Sequence, residues 1–461
     1  MAIPARYRAR WVLPITAPPI ENGEVEVGAD GRIVSVGPTD VGPTDVLPVV
    51  DLGESILLPG LVNVHAHPEL TVLRGSLEGL PFHAWIERII RLKYEVLQPE
   101  VLAASTRWGI AEAARGGVTS IGMIDDAGYG AEALEASGLR GVCYLELFGP
   151  DPAEAEKAFG LFRVRFDALN ERSTDDDSDA VPGAGTTSPR VRVGISPHSP
   201  YTVSAPLMER ALEFARGEGV PVSIHAAESA AETEVVTEGR GPLAERLVAR
   251  GIEVRATGRT PVEWLADRSA LGPSVLLAHC VGVSETDVEL LAEHGVAVAH
   301  CPVSNAKLGH GIAPIATFRK FGVPVGIGSD SVATNNRVDL FAEARNGALL
   351  QAAASGDPGW AEPERWVRML TLGGAEALGL ADETGSLEPG KWADLAAVSL
   401  DAPHLVPSPD PYAAILFAAS ASDVTLTVVG GRQVYHRNAE SELFADSDRT
   451  MLNRAAHRLD S

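Results

Sequence analysis

Residues 59–70 read PGLVNVHAHPEL, and the fold and the functional site of the chain are predicted outward from this segment. Apolar and polar residues alternate here, and the run ends in His65 and His67. Successive side chains of a strand point to opposite faces, so these two imidazoles are expected on the same face. Two imidazoles on one face can bind one metal ion if other parts of the chain supply the remaining ligands.

Seven further apolar runs follow this segment, and each ends in polar residues. Their apolar and β-branched composition is typical of strands buried on both faces. Together with residues 61–67 they predict eight strands, the other seven being 119–126, 141–148, 191–199, 221–229, 274–280, 296–302 and 323–330.

Helical patterns separate the predicted strands, for example over 98–117, 205–219 and 284–295. Strands that alternate with helices predict parallel βα units, and eight such units predict a closed (β/α)8 barrel of the TIM type. An open doubly wound sheet is the alternative. It typically has a glycine-rich phosphate loop after an early strand, and no GxGxxG occurs here.

The two ends of the chain are β-rich and flank the predicted barrel. Residues 1–56 contain turn-rich strand patterns, and residues 381–461 contain further ones followed by a tail. Neither end has enough apolar residues for its own core, so we expect one small composite β-sandwich domain. The barrel is then expected over 57–380, with residues 171–190, rich in Asp, Ser, Thr, Gly and Pro, as a mobile insertion.

Composition excludes several classes of partner. Lys and Arg number 38 against 62 Asp and Glu, a net charge of -24, which argues against binding to nucleic acid or an anionic membrane. No apolar run of membrane-spanning or signal-peptide length occurs. Cys143, Cys280 and Cys301 are an odd number in apolar runs, so we expect no disulfide framework and a cytoplasmic protein with a small-molecule substrate.

A mononuclear metal site is the chemistry that the strand ends predict. In a parallel barrel the functional residues lie at the carboxyl ends of the strands. His65 and His67 end the first strand, His225 the fifth and Asp330 the eighth, and one open position would remain for water. An isolated Asp330 could be a helix cap and an isolated His225 a core histidine, but the four together favour a metal site.

Other polar residues near the strand ends are candidates for catalysis and substrate binding. Glu228 can carry a proton between water and substrate, although a solvent-facing loop acid is the alternative. His279 can orient the attacking water, and His198, between prolines, suits a substrate contact. His300 is as readily a structural residue as a functional one. We interpret the remaining histidines as surface or structural residues: His83, His294, His310, His404, His436 and His457.

The combined motifs resemble those of the amidohydrolase superfamily, over about residues 20–435. The matching segments are PGLVNVHAH, IHAAE, LLAHC, AHCPVSNAKLGHGIAPI, GIGSDSVATNN and TGSLEPGKWADL. The resemblance implies His65, His67, His225 and Asp330 as metal ligands. It also implies Glu228 as the proton shuttle, His279 beside the bound water and His198 near the substrate. Two-metal members use a carboxylated lysine on the fourth strand, which this chain lacks, so we expect one divalent ion, zinc first and ferrous iron as the alternative.

Within the superfamily, two segments, HPELTVLRGSLEGLPFHAWI and SPHSPYTVS, are most similar to deaminases of adenosine-type compounds. The resemblance implies a hydrolytic deaminase that turns a 6-aminopurine into a 6-oxopurine and ammonia. The residues of two motifs, ELTVLRG and SDSVATNN, favour aminodeoxyfutalosine, a compound of menaquinone biosynthesis. S-adenosylhomocysteine and methylthioadenosine are the alternative substrates, followed by a triazine, guanine or cytosine ring. A non-catalytic ligand-binding barrel is the alternative from another class.

One position departs from the S-adenosylhomocysteine type, which has a ribose-binding glutamate in the segment after Trp85. Counting from His67 places that position on Tyr94, with Glu95 next to it. A shift of one residue restores the glutamate, so we include Trp85 and Glu95 among the expected substrate contacts. Members of this superfamily are often homodimers, but no interface signature is visible in the sequence.

Overall fold

Two sheets contain the strands of the protein, which a computed structural model describes over residues 4–39, 47–175, 190–439 and 443–459. One sheet combines strands from both ends of the chain, and the other is parallel. The strands are β1 (Ala5–Val12), β2 (Ile20–Val27), β3 (Ile33–Pro38), β4 (Val49–Asp51), β5 (Ser55–Pro59), β6 (Leu61–Ala66), β7 (Val118–Asp125), β8 (Arg140–Leu147), β9 (Val191–Pro197), β10 (Val222–Ala226), β11 (Val275–His279), β12 (Ala297–His300), β13 (Val325–Ile327), β14 (Leu395–Ser399), β15 (Val424–Val429) and β16 (Arg432–His436).

Strands β6 to β13 form a barrel in which each strand pairs in parallel with the next one along the chain. A parallel bridge between Ala66 and Asp330 joins the two ends of this sheet. The Asp330 N–H also donates to the His65 carbonyl at 2.9 Å. The predicted (β/α)8 barrel is therefore confirmed, and the carboxyl ends of its strands meet at one rim.

Helices lie between the barrel strands and cover their outer faces. One apolar core joins strand residues such as Ile195 and Leu277 to helix residues such as Leu207 and Leu291, so strands and helices are buried together. The helices are α1 (Phe82–Arg91), α2 (Pro99–Arg115), α3 (Gly130–Ser137), α4 (Ala155–Asp175), α5 (Ala205–Glu218), α6 (Ala230–Glu238), α7 (Pro242–Ala249), α8 (Pro261–Ala266), α9 (Glu285–Glu293), α10 (Pro302–Lys307), α11 (Ile315–Phe321), α12 (Val332–Asn335), α13 (Leu340–Ser355), α14 (Pro363–Leu370), α15 (Leu372–Ala377), α16 (Pro411–Ala413) and α17 (Asp446–Leu459).

The helices predicted from periodicity are present as α2, α5 and α9. The start of α9 shows why the sequence predicts the N-terminal boundary of this helix. Ser284 Oγ accepts a hydrogen bond from the Asp287 N–H at 3.1 Å, and the Asp287 carboxylate accepts one from the Ser284 N–H at 2.8 Å. This reciprocal pair satisfies two amide groups that the helix itself leaves unpaired.

The small β-domain is composite, as expected. Its sheet has the order β16-β15-β14-β5-β1-β2-β3, with β4 also paired to β1, so the C-terminal strands join the N-terminal ones through the β14–β5 pair. Within the described residues these strands form one hydrogen-bonded sheet, a simpler arrangement than the expected sandwich. Strand β5 extends the N-terminal part to Pro59, three residues beyond the predicted boundary at 56.

The predicted insertion at 171–190 is only partly described. Helix α4 continues to Asp175, and residues 176–189 lie outside the described residues. The three cysteines are buried and free. Among the described residues, no helix has both the length and the apolar character needed to cross a bilayer.

Candidate active site

Four predicted ligands meet at the rim of the barrel, at the ends of β6, β10 and β13. His65 Nε2 lies 3.7 Å from Asp330 Oδ1, and His67 Nε2 lies 3.6 Å from the same oxygen. The Nε2 atoms of His67 and His225 are 3.4 Å apart. Three nitrogens and one carboxylate oxygen at these separations are the donor set that a divalent transition metal prefers.

Buried hydrogen bonds hold the strands that carry these ligands. Asn63 on β6 bonds Ser329 twice, donating to its hydroxyl at 2.8 Å and accepting from its N–H at 3.0 Å. The next residue, Asp330, has a φ of 54°, and its Oδ2 accepts from the Ser304 hydroxyl at 2.5 Å. A positive φ is costly for a residue with a side chain, so the surrounding bonds are what keep Asp330 aimed at the histidines.

The histidine side chains are neutral, as metal ligands must be. Burial, and then the neighbouring imidazoles, lower the pKa of His65, His67 and His225 below its usual value. His225 Nδ1 lies 3.1 Å from the His198 carbonyl and donates to it, which leaves Nε2 free to face the cluster.

His65 tests whether a metal fits this cluster. It is completely buried, and neither of its ring nitrogens has a hydrogen-bond partner among the described residues. A buried polar atom without a partner is costly unless another group satisfies it. Ligand atoms of His65, His67 and His225 also lie within 4.8 Å of one another, as do those of His65, His279 and Asp330. The residues therefore fit a divalent ion.

Glu228 lies beside the cluster, in the loop after β10. Its Oε1 is 3.9 Å from His279 Nε2 and 3.4 Å from His310 Nε2. Burial raises the pKa of Glu228, but His279 and His310 lower it by more, so its pKa falls below the usual range. The carboxylate is thus ionised at neutral pH and able to accept a proton.

His279 has a fixed ring orientation. Its Nδ1 lies 3.0 Å from Asn305 Oδ1, to which it donates, so Nε2 faces Glu228 and the cluster. The His279 backbone has a φ of 74°, and Cys280 follows at 44°. Two consecutive residues with positive φ turn the chain sharply at the end of β11 and direct the imidazole toward the ligand cluster.

A second buried glutamate holds the Glu228 loop. Glu232 is 1% exposed, and its two carboxylate oxygens accept the N–H groups of Ala227 at 3.0 Å and Glu228 at 2.8 Å. Ala227 has a φ of 50°, so these bonds stabilise an unfavourable backbone conformation. Burial raises the pKa of Glu232 to about 8, and the Glu228 charge adds to this effect.

His198 occupies the wall of the cavity above the cluster. Its Nδ1 bonds the Thr202 hydroxyl at 2.7 Å, and its ring packs 4.7 Å from the ring of Phe148. The other nitrogen, Nε2, is 3.9 Å from Glu146 Oε1, a buried oxygen with no hydrogen-bond partner among the described residues. His198 and Glu146 therefore present polar atoms to a ligand in this cavity.

A cavity of about 520 Å³ leads from the solvent to the cluster. This volume is typical of small-molecule sites, which measure about 300–1,000 Å³. Trp85, which we expect to contact the substrate, lines the cavity. Glu95 is exposed and is not among the lining residues, whereas its neighbours Lys93 and Tyr94 are. Of the two positions that the sequence left open, Tyr94 therefore lies at the cavity and Glu95 does not.

Sequence reasoning missed two residues of this site. We interpreted His310 as surface or structural, yet its side chain is 4% exposed and contacts Glu228. Glu232 was not among the predicted site residues, yet it is buried beneath the loop that carries Glu228. The serine at 229 offered one signal, since Ser229 followed by Glu232 has the spacing of a helix cap. His300 is buried and is not among the cavity-lining residues.

Comparisons with known proteins agree with this geometry. Two curated relatives are each named 5-methylthioadenosine/S-adenosylhomocysteine deaminase. The protein of Natronomonas pharaonis is 36% identical over 407 residues, covering 88% of this chain and 86% of its own. The protein of Moorella thermoacetica is 33% identical over 451 residues and covers 97% of each chain.

A solved structure is similar over the whole length. The zinc-bound adenosine deaminase of Xanthomonas campestris superposes with a TM-score of 0.86 at 29% identity, covering 99% of both chains. The family model described as "Amidohydrolase family" matches residues 56–434, which include all the site residues described above. The chain therefore belongs to the amidohydrolase family.

Proposed function

We propose that the protein is a zinc-dependent hydrolytic deaminase of an adenosine-type compound, releasing ammonia and leaving a 6-oxopurine. The observation that carries the proposal is the ionised Glu228 carboxylate beside a cluster of three neutral histidines and Asp330. The names of the curated relatives and the zinc in the Xanthomonas campestris structure support the substrate class and the metal.

His65, His67, His225 and Asp330 would hold the metal. When bound, a divalent ion lowers the pKa of a water molecule toward neutrality and stabilises developing negative charge. A second metal has no carboxylated lysine to bridge it, because VRVGISPHS on β9 contains none.

Glu228 would move the proton that the reaction requires. Its Oε1 faces the cavity and is ionised, so it can accept a proton from the attacking water and deliver it to a ring nitrogen of the purine. Protonation of that nitrogen makes the adjacent ring carbon more electrophilic. Asp330 and His279 would help to remove the remaining proton of the attacking water, and its transfer to the amino group allows ammonia to leave.

His279 and His198 would position the reacting groups. His279 Nε2 would contact the attacking water, because Nδ1 is committed to Asn305. His198 Nε2 remains available to the substrate, because Nδ1 is committed to Thr202. The walls beyond them exclude solvent from the purine ring, which strengthens these interactions.

Ammonia release by the zinc-loaded protein tests the proposal. The panel contains adenosine, S-adenosylhomocysteine, methylthioadenosine, aminodeoxyfutalosine and guanine, with a chlorinated triazine as the non-deaminase alternative. Turnover of an adenosine-type compound, reduced about 10²- to 10⁴-fold in Glu228→Gln, is the expected result. Chloride release from the triazine with no ammonia from any purine would overturn the adenosine-type assignment while leaving a hydrolase. Retention of the bound zinc by Glu228→Gln is the control for site integrity.

A further inference from the structure

The Asp330 carboxylate is held by only one of its two oxygens. Its Oδ2 accepts hydrogen bonds from the Ser304 hydroxyl at 2.5 Å and from the Thr334 hydroxyl at 3.3 Å. The other oxygen, Oδ1, lies 3.7 Å from His65 Nε2 and 3.6 Å from His67 Nε2. The torsion of an aspartate carboxylate is soft and roughly two-fold, so the two hydroxyls decide which oxygen faces the histidines.

Glu343 contacts both segments that carry these hydroxyls. It belongs to α13 and is 2% exposed. Its Oε2 accepts a hydrogen bond from the N–H of Val303 at 3.0 Å, and Val303 immediately precedes Ser304. Its Oε1 accepts one from Asn335 Nδ2 at 3.2 Å, and Asn335 immediately follows Thr334. One buried carboxylate therefore bridges α10 and α12 beside the two hydroxyls.

The Asn335 amide has a fixed orientation, which determines what the bridge requires. Its Nδ2 also donates to the carbonyl of Ser329, the residue before Asp330, and its Oδ1 accepts the Arg337 N–H at 3.0 Å. Nδ2 therefore faces Glu343 as a donor, and the bridging side chain must supply two acceptor atoms. A glutamate supplies two, whereas a glutamine supplies one acceptor and one donor group.

The buried position of this carboxylate is energetically costly. Burial raises the pKa of Glu343 well above its usual value, and the charges of Asp330 and Asp339 add to this effect, although the two hydrogen bonds oppose it. Carboxyl groups perturbed in this way are concentrated at functional sites. This cost agrees with a side chain that serves the site more than the stability of the core.

We propose that Glu343 is a positioning residue for Asp330, acting through Ser304 and Thr334 to keep Oδ1 toward the histidines. The inference rests on the proposed function, in which Asp330 holds the metal and helps to remove a proton from the attacking water. Without the bridge, the carboxylate can rotate, which should weaken zinc binding and slow the chemical step. Glu343 is not one of the described residues that line the cavity, so substrate binding should change little.

Zinc binding by the metal-free full chain tests this role without any substrate. Glu343→Gln presents an amide N–H to one of the two donors, so zinc affinity should fall about 10- to 100-fold. Competition with a chromophoric chelator measures the dissociation constant. Gln351→Leu, on the same helix, is the matched control. It removes the buried hydrogen bond from Gln351 Nε2 to the Ala313 carbonyl, 2.7 Å long, and should lower the unfolding temperature while leaving zinc affinity unchanged.

A double-mutant cycle with Ser304→Ala separates positioning from general support of the core. If Glu343 acts through Ser304, the double variant should lose clearly less zinc affinity than the product of the two single losses. If Glu343→Gln does not fold, Asn335→Ala, which removes one of the two contacts of Glu343, takes its place in the cycle. Independent losses in the cycle, or an unchanged zinc affinity in the single variant, would overturn the positioning role.

Steady-state kinetics distinguish a failure of this proposal from a failure of the proposed function. In zinc-saturated Glu343→Gln, kcat for the adenosine-type substrate should fall about 10- to 100-fold with KM nearly unchanged. The expected loss of zinc affinity in a protein that releases no ammonia from any purine would support the positioning role and overturn the proposed function. Normal ammonia release and normal zinc affinity in Glu343→Gln would overturn the positioning role alone.

Discussion

The floor and the mouth of the cavity are built differently. The floor consists of strand ends, where His65, His67, His225 and Asp330 are held by backbone and buried hydrogen bonds. The mouth consists of helices α1 and α7, which present mostly apolar side chains. Strand ends fix polar atoms to within the tolerance that bond making requires, whereas helix faces supply shape and burial.

This difference is expected to separate the rate of the chemical step from the affinity for the substrate. Substitutions in the floor should change the chemical step for every substrate, because in the proposed reaction its residues act on the common purine and water. Substitutions in the mouth should change KM in a way that depends on the 5′ substituent. The predictions below test this division, starting with the largest effect.

Metal removal should abolish activity and lower stability together. Three histidines and Asp330 would lose the ion that satisfies their polar atoms, so chelation should lower the unfolding temperature. At a zinc concentration 100 times Kd, the stabilisation amounts to about 2.7 kcal/mol. Differential scanning calorimetry with and without zinc measures it. His225→Ala should lose both responses, and full activity in the chelated protein would contradict a metal-dependent floor.

Replacement of His310 should change the pH dependence of the chemical step. His310 helps to lower the pKa of Glu228, so His310→Gln should raise that pKa. Glu228 accepts a proton only when ionised, so the acidic limb of the kcat/KM profile should move to higher pH. We expect the largest loss at the acidic end of the profile and little change near pH 8. His294→Gln, at an exposed histidine bonded to its own helix, is the control and should leave the limb in place.

Substitutions of Trp85 and Glu95 are expected to differ in their effect on KM. Trp85 lines the cavity, and loss of its aromatic contact in Trp85→Leu should raise KM about 3- to 10-fold with little change in kcat. Glu95 is exposed and outside the cavity, so Glu95→Gln should behave like the wild type. KM measured for one adenosine-type substrate compares them. A large effect at Glu95 would restore the glutamate contact expected from the sequence.

Glu232 should affect the pH dependence of stability more than activity. Burial raises its folded pKa to about 8 from 4.5, so its contribution to stability is fully present below pH 4.5 and is lost as pH rises to about 8. Glu232→Gln should remove up to about 1.4 kcal/mol per pH unit from the slope in that window. Urea unfolding at several pH values measures the slope. Exposed Glu238→Gln should leave it unchanged, and an equal slope in Glu232→Gln would show that Glu232 is ionised throughout.

Much of the floor was predictable because strand ends leave a local signature. An apolar run that ends in histidine or aspartate is visible in the residues themselves, and parallel topology brings such ends to one rim. The ring orientations were not predictable. They depend on the His198 carbonyl, Asn305 and the positive φ of Asp330, which the fold brings together from distant parts of the chain.

The mouth was predictable only in part. Trp85 was expected as a contact and lines the cavity. Whether Tyr94 or Glu95 lies at the cavity, however, depends on where helix α1 ends. The segment after α1 widens into a π-helical turn over Leu92–Val96. In this turn Lys93 and Tyr94 line the cavity, whereas Glu95 does not. A shift of one residue changes the direction of a side chain by about 100° in a helix, so counting along the sequence could not settle it.

The sequence by itself determined the barrel, the composite β-domain and the residue types at the strand ends, because hydrophobic periodicity and turn chemistry are local properties of the chain. Only the tertiary structure decided that His310 contacts Glu228 and that Glu232 supports the loop that carries Glu228. Such relations depend on distances between residues far apart in the sequence. Side-chain packing sets those distances, and no local pattern encodes them.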